Sequence, residues 1–222
     1  MLAEAIDAGA AVDAVFATPA GWDAAGELAP TLACPTYVID DRALRRLTAL
    51  ETPPGVVAVV RQRLETVDAL LDGGAPVLLL AGVGDPGNAG TLLRSAEAFG
   101  VARVIFGKGA VEPYNPKVVR GSMGAIFRLR MAEASPADLQ AAATARGYAV
   151  VAAEREGEPL PDFPFPERAI FAVGGERHGT KAWLVRRDAA VSIPQTGRGE
   201  SLNAAVAGSI LLYEYARRNA RN

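Results

Sequence analysis

From residue 77 to the end of the chain, continuous apolar runs of strand length alternate with helical patterns. Apolar runs of this kind are typical of strands buried on both faces of a parallel sheet. The predicted strands are Val77 to Ala81, Arg103 to Phe106, Ala149 to Ala152, Ala169 to Val173 and Ala190 to Ser192. The predicted helices are Ala89 to Phe99, Asn115 to Gly121, Pro136 to Arg146, Lys181 to Arg186 and Leu202 to Asn219. The pattern predicts a parallel α/β domain.

The preceding residues read as a smaller α/β unit. Its predicted strands are Val12 to Phe16, Thr36 to Ile39 and Gly55 to Val60. Its predicted helices run from near Trp22 to Leu28 and from a cap at Asp40 or Asp41 through Leu47. A charged helical stretch, Arg61 to Leu71, and a Gly-Gly turn then separate the two parts. We therefore predict a domain at residues 1–62, a linker at 63–75 and a second domain at 76–222.

Composition excludes several classes of protein. The chain has 222 residues, of which 50% are hydrophobic and 22% charged, as in a globular protein. No apolar run approaches the roughly 18 residues of a membrane span, and the start lacks the pattern of a secretory signal, so a cytoplasmic enzyme is expected. Cys34 and His178 are single residues of their types, which leaves no Cys/His cluster for zinc, and no metal is implied. The Gly-x-Ser-x-Gly elbow that many hydrolases use is also absent.

Charge is unevenly distributed although the formal net charge is only -2. Every charged side chain from Met1 to Asp41 is acidic. Between Arg103 and Arg130 a single acid, Glu112, stands among six cations: Arg103, Lys108, Lys117, Arg120, Arg128 and Arg130. This segregation permits a basic patch for nucleic acid. Ordinary solvated surface charge explains each residue taken alone equally well.

Three stretches place small residues and one or two polar side chains directly after an apolar run. They are Asn88 to Arg94, Gly174 to Gly179, and Ile193-Pro194 followed by Ser201 to Ala207. Each arrangement is typical of a strand that leads into a backbone-lined pocket. Any one of these stretches is a weak signal, whereas the three in this order form a specific pattern.

Taken together, the three stretches resemble the motifs of the SpoU (TrmH-like) family of RNA ribose 2'-O-methyltransferases, which belong to the SPOUT class. The resemblance covers roughly the last two thirds of the chain. It implies a SPOUT-type parallel sheet with a C-terminal trefoil knot and S-adenosylmethionine as the methyl donor. The knot follows from the resemblance alone, because knots are too rare for periodicity to predict one.

The resemblance makes Arg94 the catalytic arginine, with Asn88, Glu176, Ser201 and Asn203 as the other catalytic residues. Arg94 follows the turn that opens the first helix of the domain, where free backbone N–H groups favour a phosphate. Because arginine stays protonated, we assign Arg94 to orienting the ribose hydroxyl and stabilising developing negative charge. The alternative is an interior arginine paired with Glu97 or Glu176, and both assignments can hold together.

The donor is expected to bind the second and third stretches. Glycines permit close backbone approach, and the cofactor-binding residues implied by the resemblance are Gly174, Gly175, Ile193, Pro194, Leu202 and Asn203. Glu176 is expected to fix Arg94 or a loop amide, and Asn203 to orient Arg94 or bind the donor. Ser201 is expected to bind RNA or to cap the following helix. His178 is interpreted as a loop side chain and not as a base.

The segment Pro116 to Gly124 resembles the family's Pro-Lys-x-x-Arg-x-Ser-Met-Gly segment, which lies against substrate RNA. We therefore predict RNA contacts for Lys117, Arg120 and Ser122, the alternative being a role in packing the helix end. The unit at 1–62 resembles the L30e-like RNA-binding domain of ribosomal-RNA members but is shorter than expected, with the opening helix and strand of that domain missing. Either the sequence begins late or the domain is trimmed. Ribosomal RNA is thus favoured over transfer RNA. A homodimer is expected, with Leu211, Leu212 and Tyr215 of the last helix as its apolar face.

Three alternatives stay open at the level of sequence. One is methylation of transfer RNA, and another is a non-catalytic RNA-binding SPOUT protein. The third is a Rossmann-type nucleotide enzyme, although Gly82-Val83-Gly84-Asp85-Pro86-Gly87 lacks its glycine fingerprint.

Overall fold

The computed structural model describes residues 1–26, 32–48, 50–176, 178–197 and 201–219. The chain divides into two compact units, Met1–Gln62 and Arg63–Asn222. In the described ranges, no helix is long and apolar enough to cross a bilayer.

The first unit is a small three-stranded α/β structure. Its elements are α1 (Leu2–Asp7), β1 (Val12–Ala17), α2 (Pro19–Ala25), β2 (Thr36–Val38), α3 (Asp41–Leu47) and β3 (Val56–Val60). The strand order is β2-β1-β3, with β2 parallel and β3 antiparallel to β1. The three predicted strands are confirmed, as is the helix capped by Asp40. The predicted helix near Trp22 ends at Ala25, its last residues lie outside the described residues, and α1 was not predicted.

The second unit is built around a six-stranded sheet. Its elements are α4 (Val67–Leu71), β4 (Val77–Ala81), α5 (Pro86–Ala98), β5 (Arg103–Gly107), α6 (Pro116–Gly121), α7 (Ala125–Arg128), β6 (Arg130–Ala134), α8 (Pro136–Arg146), β7 (Ala149–Pro159), β8 (Ala169–Gly174), β9 (Ala189–Ser192) and α9 (Ala204–Asn219). The strand order is β6-β5-β4-β8-β7-β9, and every neighbouring pair is parallel. The prediction of a parallel α/β domain is confirmed.

Helices cover both faces of this sheet because its central strands are apolar on both sides. Every residue of β4 is buried. Leu78 and Leu80 belong to one hydrophobic cluster with α5 and α9. Val77 and Leu79, which point the other way, belong to a second cluster with α4 and α8. The alternation of side chains along a strand thus divides one apolar run between two cores.

The segment 63–75, predicted as a linker, is part of the second unit. Its helix α4 buries Val67, Leu70 and Leu71 in the second core cluster. Just before it, Glu65 accepts hydrogen bonds from the Arg130 guanidinium, which hold the pKa of the Glu65 carboxyl below its usual range. The predicted boundary at residue 76 therefore falls too late.

Other elements also differ from prediction: α7 was not predicted, and β7 continues to Pro159, past its predicted end at Ala152. β6 was missed because its polar Arg130 and Glu133 interrupt the apolar pattern, as suits a strand at the edge of the sheet. The helix predicted from Lys181 to Arg186 is a series of turns in which the Trp183 and Leu184 amides both donate to the Thr180 carbonyl. Its apolar run is too short to stabilise a helix alone.

Candidate functional site

Three polar side chains from distant parts of the chain form one hydrogen-bonded group, called here the polar cluster: Asn88, Glu176 and Asn203. The Asn88 amide nitrogen donates to Glu176 Oε1 at 2.7 Å. The Asn203 amide nitrogen donates to Asn88 Oδ1 at 3.0 Å and to Glu176 Oε1 at 3.2 Å. The cluster joins the start of α5, the loop after β8 and the start of α9. The three sequence stretches therefore meet at one place.

The two asparagines also belong to helix ends. The backbone amide of Asn88 donates to Asp85 Oδ1 at 2.7 Å, so Asp85 caps α5. Asn203 Oδ1 accepts from the amides of Ala205 and Val206 at 2.9 and 3.2 Å and caps α9. Asn203 thus takes the capping role predicted as an option for Ser201. The negative charge of the Asp85 carboxylate at the start of α5 opposes the binding of a phosphate that was predicted there.

The two glycines where β8 ends, Gly174 and Gly175, are required by contacts within the protein. A Cβ on Gly174 would lie 2.1 Å from the carbonyl carbon of Gly179. A Cβ on Gly175 would lie 2.4 Å from the carbonyl oxygen of Gly82. The Gly179 amide donates to the Gly175 carbonyl at 2.9 Å and closes the loop into a tight turn. The sequence predicted that these glycines let the backbone approach a ligand closely. In the structure they let it approach other parts of the protein's own backbone.

A cavity of about 590 Å³ opens between this loop, the middle of β7 and the end of β9. Its wall includes Gly174, Gly175, Ile193, Leu202 and Asn203 among the predicted donor-binding residues. Glu176 and Ser201 also line it. Pro194, the remaining predicted residue, is exposed and is not among the lining residues. It follows Ile193, whose side chain is half-buried against the core.

A second cavity of about 370 Å³ adjoins the first. It is lined by the residues after β4, including Gly82 and Asp85, and by Asn88 and Trp183. The residues common to both cavities are Gly175, Glu176, His178, Gly179 and Ala204. The polar cluster and its loop consequently face two adjoining spaces, which is the arrangement that transfer between two bound molecules requires.

Arg94 lies on α5 beyond the polar cluster and is exposed. It contacts neither Glu97 nor Glu176: Glu97 accepts from Arg128 Nε at 2.6 Å, and Glu176 binds the two asparagines. No hydrogen-bond or ion-pair partner of its side chain is found among the described residues. The predicted alternative of a buried, paired arginine is therefore wrong, because Leu92 and Leu93 face the core while Arg94 faces away from it.

The three predicted RNA-binding residues divide into two kinds. Lys117 and Arg120 are exposed on α6, and within the part of the chain that the structure describes their side chains have no hydrogen-bond or ion-pair partner. Ser122 is fully buried and its hydroxyl donates to the Val119 carbonyl at 2.7 Å. Ser122 therefore packs the helix end, which was the alternative for this segment, and has no surface for RNA. Arg94, Lys117 and Arg120 are called the unpaired cations below.

The basic stretch from Arg103 to Arg130 is not one continuous cationic surface. Arg128 pairs with Glu97, and Arg130 pairs with Glu65. Arg103 is half-buried, with one guanidinium nitrogen enclosed by protein. Acids from elsewhere in the sequence thus neutralise part of the stretch, and Lys117 and Arg120 are among the cations that stay open. Sequence spacing alone did not reveal these pairs.

Sequence reasoning also missed two residues of the larger cavity. Glu154 on β7 and Thr180 after the glycine loop both line it, and the Thr180 hydroxyl donates to Glu154 Oε1 at 2.6 Å. A signal was present for Glu154, because an acid directly follows the buried run Val150 to Ala153. Thr180 carried no comparable signal.

Comparison with known proteins agrees with this geometry. Residues 75–213 match the model of the SpoU rRNA Methylase family. The chain is 33% identical over 179 residues to the 23S rRNA (guanosine(2553)-2'-O)-methyltransferase RlmP of Bacillus subtilis (strain 168), covering 80% of this chain and 71% of that protein. It is 35% identical over 181 residues to a 23S rRNA (uridine(2479)-2'-O)-methyltransferase of Streptomyces viridochromogenes, covering 75% and 61%.

Solved structures give the same result. The crystal structure of the SpoU methyltransferase AviRb from Streptomyces viridochromogenes aligns with a TM-score of 0.86 at 30% identity, covering 99% of this chain and 87% of that one. Its complex with the cofactor AdoMet aligns equally well at 29% identity. The α/β fold with its parallel sheet matches the SpoU methyltransferase structures. The chain belongs to the SpoU rRNA methylase family, which excludes the Rossmann-type alternative.

Proposed function

We propose that this protein transfers a methyl group from S-adenosylmethionine to a ribose 2'-hydroxyl of RNA, with ribosomal RNA as the favoured substrate. The observation that carries the proposal is the polar cluster between two adjoining cavities, with an unpaired arginine on the same helix. Relatives named as 23S rRNA 2'-O-methyltransferases and a neighbouring structure bound to AdoMet support it.

The larger cavity fits the donor by its chemistry. Its apolar side chains, Ile193 and Leu202, suit an adenine ring, and backbone groups of Gly174 and Gly175 suit its polar edge. When bound, S-adenosylmethionine supplies an activated methyl group on a sulfonium centre. Asn88, Glu176 and Asn203 keep the loop and both helix starts in register around that space.

Arg94 is assigned to the acceptor side of the reaction. As the 2'-oxygen bonds to the methyl carbon, the carbon–sulfur bond breaks and releases S-adenosylhomocysteine, and the hydroxyl proton passes to solvent. A fixed guanidinium stabilises the negative charge that loss of this proton places on the oxygen. Arginine remains protonated in proteins, so Arg94 orients the hydroxyl and serves poorly as a base. Its lack of a protein partner leaves all its donors available to RNA. Ser201, exposed at the cavity, is assigned to the same ribose or its phosphate.

RNA is proposed to contact both units. In the second unit Lys117 and Arg120 are assigned to phosphates. In the first unit, proposed to be an L30e-like RNA-binding domain, Phe16 and Tyr37 stack with ring centroids 5.1 Å apart, and Tyr37 is exposed. Helix α3 carries three exposed arginines: Arg42, Arg45 and Arg46. An exposed tyrosine stacked on a half-buried phenylalanine, with cations in the same unit, suits bases and phosphates of single-stranded RNA.

The trefoil knot, the homodimer and the cytoplasmic location belong to the same proposal. Strand β8 inserts between β4 and β7, both earlier in the chain, and this chain order is compatible with a knot. The dimer face must differ from the one expected, because Leu211 and Leu212 are buried in the core and Tyr215 packs on Phe165. Val206 and Tyr213 are exposed on one side of α9 and are assigned to that face instead.

A specific observation keeps transfer RNA as a second candidate substrate. Mouse TARBP1, named as a tRNA (guanosine(18)-2'-O)-methyltransferase, is 33% identical over 139 residues, 60% of this chain and 9% of that protein. Because the match covers so little of that longer protein, it bears on the chemistry more than on the RNA. A non-catalytic role is the third possibility.

The test is methyl transfer with isotopically labelled S-adenosylmethionine to purified ribosomal and transfer RNA, followed by digestion to nucleosides and mass spectrometry. We expect a labelled 2'-O-methylnucleoside from ribosomal RNA. Label only in transfer RNA would favour the second substrate, and label on a base would contradict the proposal. Donor binding with no transfer to any RNA would favour the non-catalytic role.

A further inference from the structure

A buried acid in the larger cavity has no part in the chemistry described so far. Glu154 lies on β7 just past Ala152, the last residue of that strand paired with β8. Its side chain is only 8% exposed, yet it lines the cavity. A carboxylate removed from water is costly unless its oxygens and charge are satisfied. The surroundings of its two oxygens therefore indicate what it does.

The two oxygens of Glu154 differ. Oε1 accepts the Thr180 hydroxyl at 2.6 Å, and Thr180 is itself 1% exposed. Oε2 lies 3.2 Å from an Arg187 guanidinium nitrogen and 3.8 Å from Lys181 Nζ. Nevertheless Oε2 is enclosed and accepts no hydrogen bond from the described residues. The charge is balanced, while one oxygen keeps its capacity to accept a hydrogen bond.

Stability alone does not explain this arrangement. The residues before Glu154 on β7 are small and apolar and pack without polar partners. A buried acceptor without a hydrogen bond lowers stability, whereas a ligand donor that displaces the atoms enclosing Oε2 on the cavity side would satisfy it. S-adenosylmethionine carries several N–H and O–H donors: the ribose hydroxyls, the adenine amino group and the ammonium group.

We propose that Glu154 is a cofactor-binding residue whose Oε2 accepts a hydrogen bond from an N–H or O–H donor of S-adenosylmethionine. The inference rests on the proposed function, because it assigns the larger cavity to that donor. Through Oε1 the same carboxylate holds Thr180 and so the end of the glycine loop. Glu154 therefore links the bound cofactor to the loop that encloses it.

The experiment measures ligand binding by calorimetry for the full chain and three variants. Glu154→Gln removes the charge and one acceptor oxygen at nearly constant volume. Thr180→Val removes the hydroxyl that holds Oε1 and leaves the carboxylate. Glu158→Gln, on the same strand but exposed and away from the cavity lining, is the matched control. The ligands are S-adenosylmethionine, S-adenosylhomocysteine and 5'-methylthioadenosine, which lacks the ammonium group.

We expect Glu154→Gln to weaken S-adenosylmethionine binding by about ten- to a hundredfold, as for a hydrogen bond to a charged group. Thr180→Val should cause a smaller loss, and Glu158→Gln none. Equal losses for all three ligands would assign the donor to the nucleoside. Losses confined to the two ligands with an ammonium group would assign it there. Both results support the proposal.

Three results would overturn it. Unchanged binding in Glu154→Gln would mean that no ligand donor reaches Oε2. A full loss reproduced by Thr180→Val would mean that Glu154 acts only by holding the loop. A loss seen with S-adenosylmethionine alone would mean that the carboxylate attracts the sulfonium charge without a hydrogen bond. If instead the unaltered protein binds none of the three ligands, the proposed function itself is wrong, which is a distinguishable outcome.

Discussion

The polar cluster and the unpaired cations lie in the same unit and differ in what they bind. In the polar cluster each side chain contacts the other two at 2.7 to 3.2 Å. The unpaired cations are exposed and have no side-chain partner in the part of the chain that the structure describes. The fold already holds the side chains of the polar cluster in place. The side-chain donors of the unpaired cations are free to bind a partner outside the protein.

This difference separates two roles that the sequence motifs place together. Residues whose polar atoms are used within the protein hold loops and helix starts in position. Residues whose donors are open can act on a substrate. Asn88 and Arg94 make the contrast clearest, because they lie on the same helix and in the same sequence motif. The first is a positioning residue and the second is assigned to the reaction.

The largest effect is expected from replacing Arg94 by alanine. Loss of a charge-stabilising donor should lower the rate of methyl transfer by about 10²- to 10³-fold. Donor affinity should stay within a few-fold, because Arg94 is not among the residues that line the larger cavity. Lysine should restore little activity, since it lacks the planar fork. Single-turnover assays at saturating donor would check this. Near-normal turnover in Arg94→Ala would mean that Arg94 takes no part in the reaction.

A second prediction concerns the glycine loop that the polar cluster holds. Gly174→Ala places a Cβ where the Gly179 carbonyl carbon lies 2.1 Å away, so the loop must move. We expect donor affinity to fall about tenfold or more, with a stability loss of about 1–3 kcal/mol. Gly197→Ala is the control, because its added Cβ meets no atom within 4 Å. Unchanged calorimetric affinity in Gly174→Ala would place the donor away from this loop.

The smallest effect on affinity is expected from the other unpaired cations. Replacing Lys117 and Arg120 together by glutamine should weaken RNA binding several-fold at moderate salt. It should also reduce the salt-dependence slope by about one unit for each lost phosphate contact. Arg186→Gln serves as control, since Arg186 is equally accessible but paired with Asp188. Filter-binding titrations over a range of salt would test this. An unchanged slope would make Lys117 and Arg120 ordinary surface charges.

Much of the fold was predicted from local sequence signals, because an apolar run or a helix cap can be recognised from a few consecutive residues. The strand Val77–Ala81 is a continuous apolar run and was predicted at its observed bounds. The helix Pro136–Arg146 is framed by a Ser135 cap and a left-handed Gly147, which also fixed its ends. Edge strand β6 and the short helix α4 lack such signals and were missed or misassigned.

The sequence predicted which residues belong to the candidate site, but it did not predict which of them contact each other. The motifs identified Asn88, Glu176 and Asn203. Their hydrogen bonds, however, join residues separated by 88 positions (Asn88 and Glu176) and by 115 positions (Asn88 and Asn203) in the sequence. The ion pairs of Arg128 and Arg130 likewise depend on distant acids, so the basic stretch was overestimated. The burial of Ser122 follows from helix packing, which a linear motif does not contain. Such contacts depend on tertiary structure.

The contrast between the two groups is tested most directly by the free energies of unfolding of Asn88→Ala and Arg94→Ala, measured by denaturant titration without ligand. Asn88→Ala removes two side-chain hydrogen bonds and leaves Glu176 and Asn203 without their shared partner, so we expect a loss of about 1–3 kcal/mol. Arg94→Ala removes an exposed, unpaired side chain and should stay within about 0.5 kcal/mol of the unaltered protein. Equal losses in the two variants, or a stable Asn88→Ala beside a destabilised Arg94→Ala, would contradict the division between a built-in cluster and cations left open for substrate.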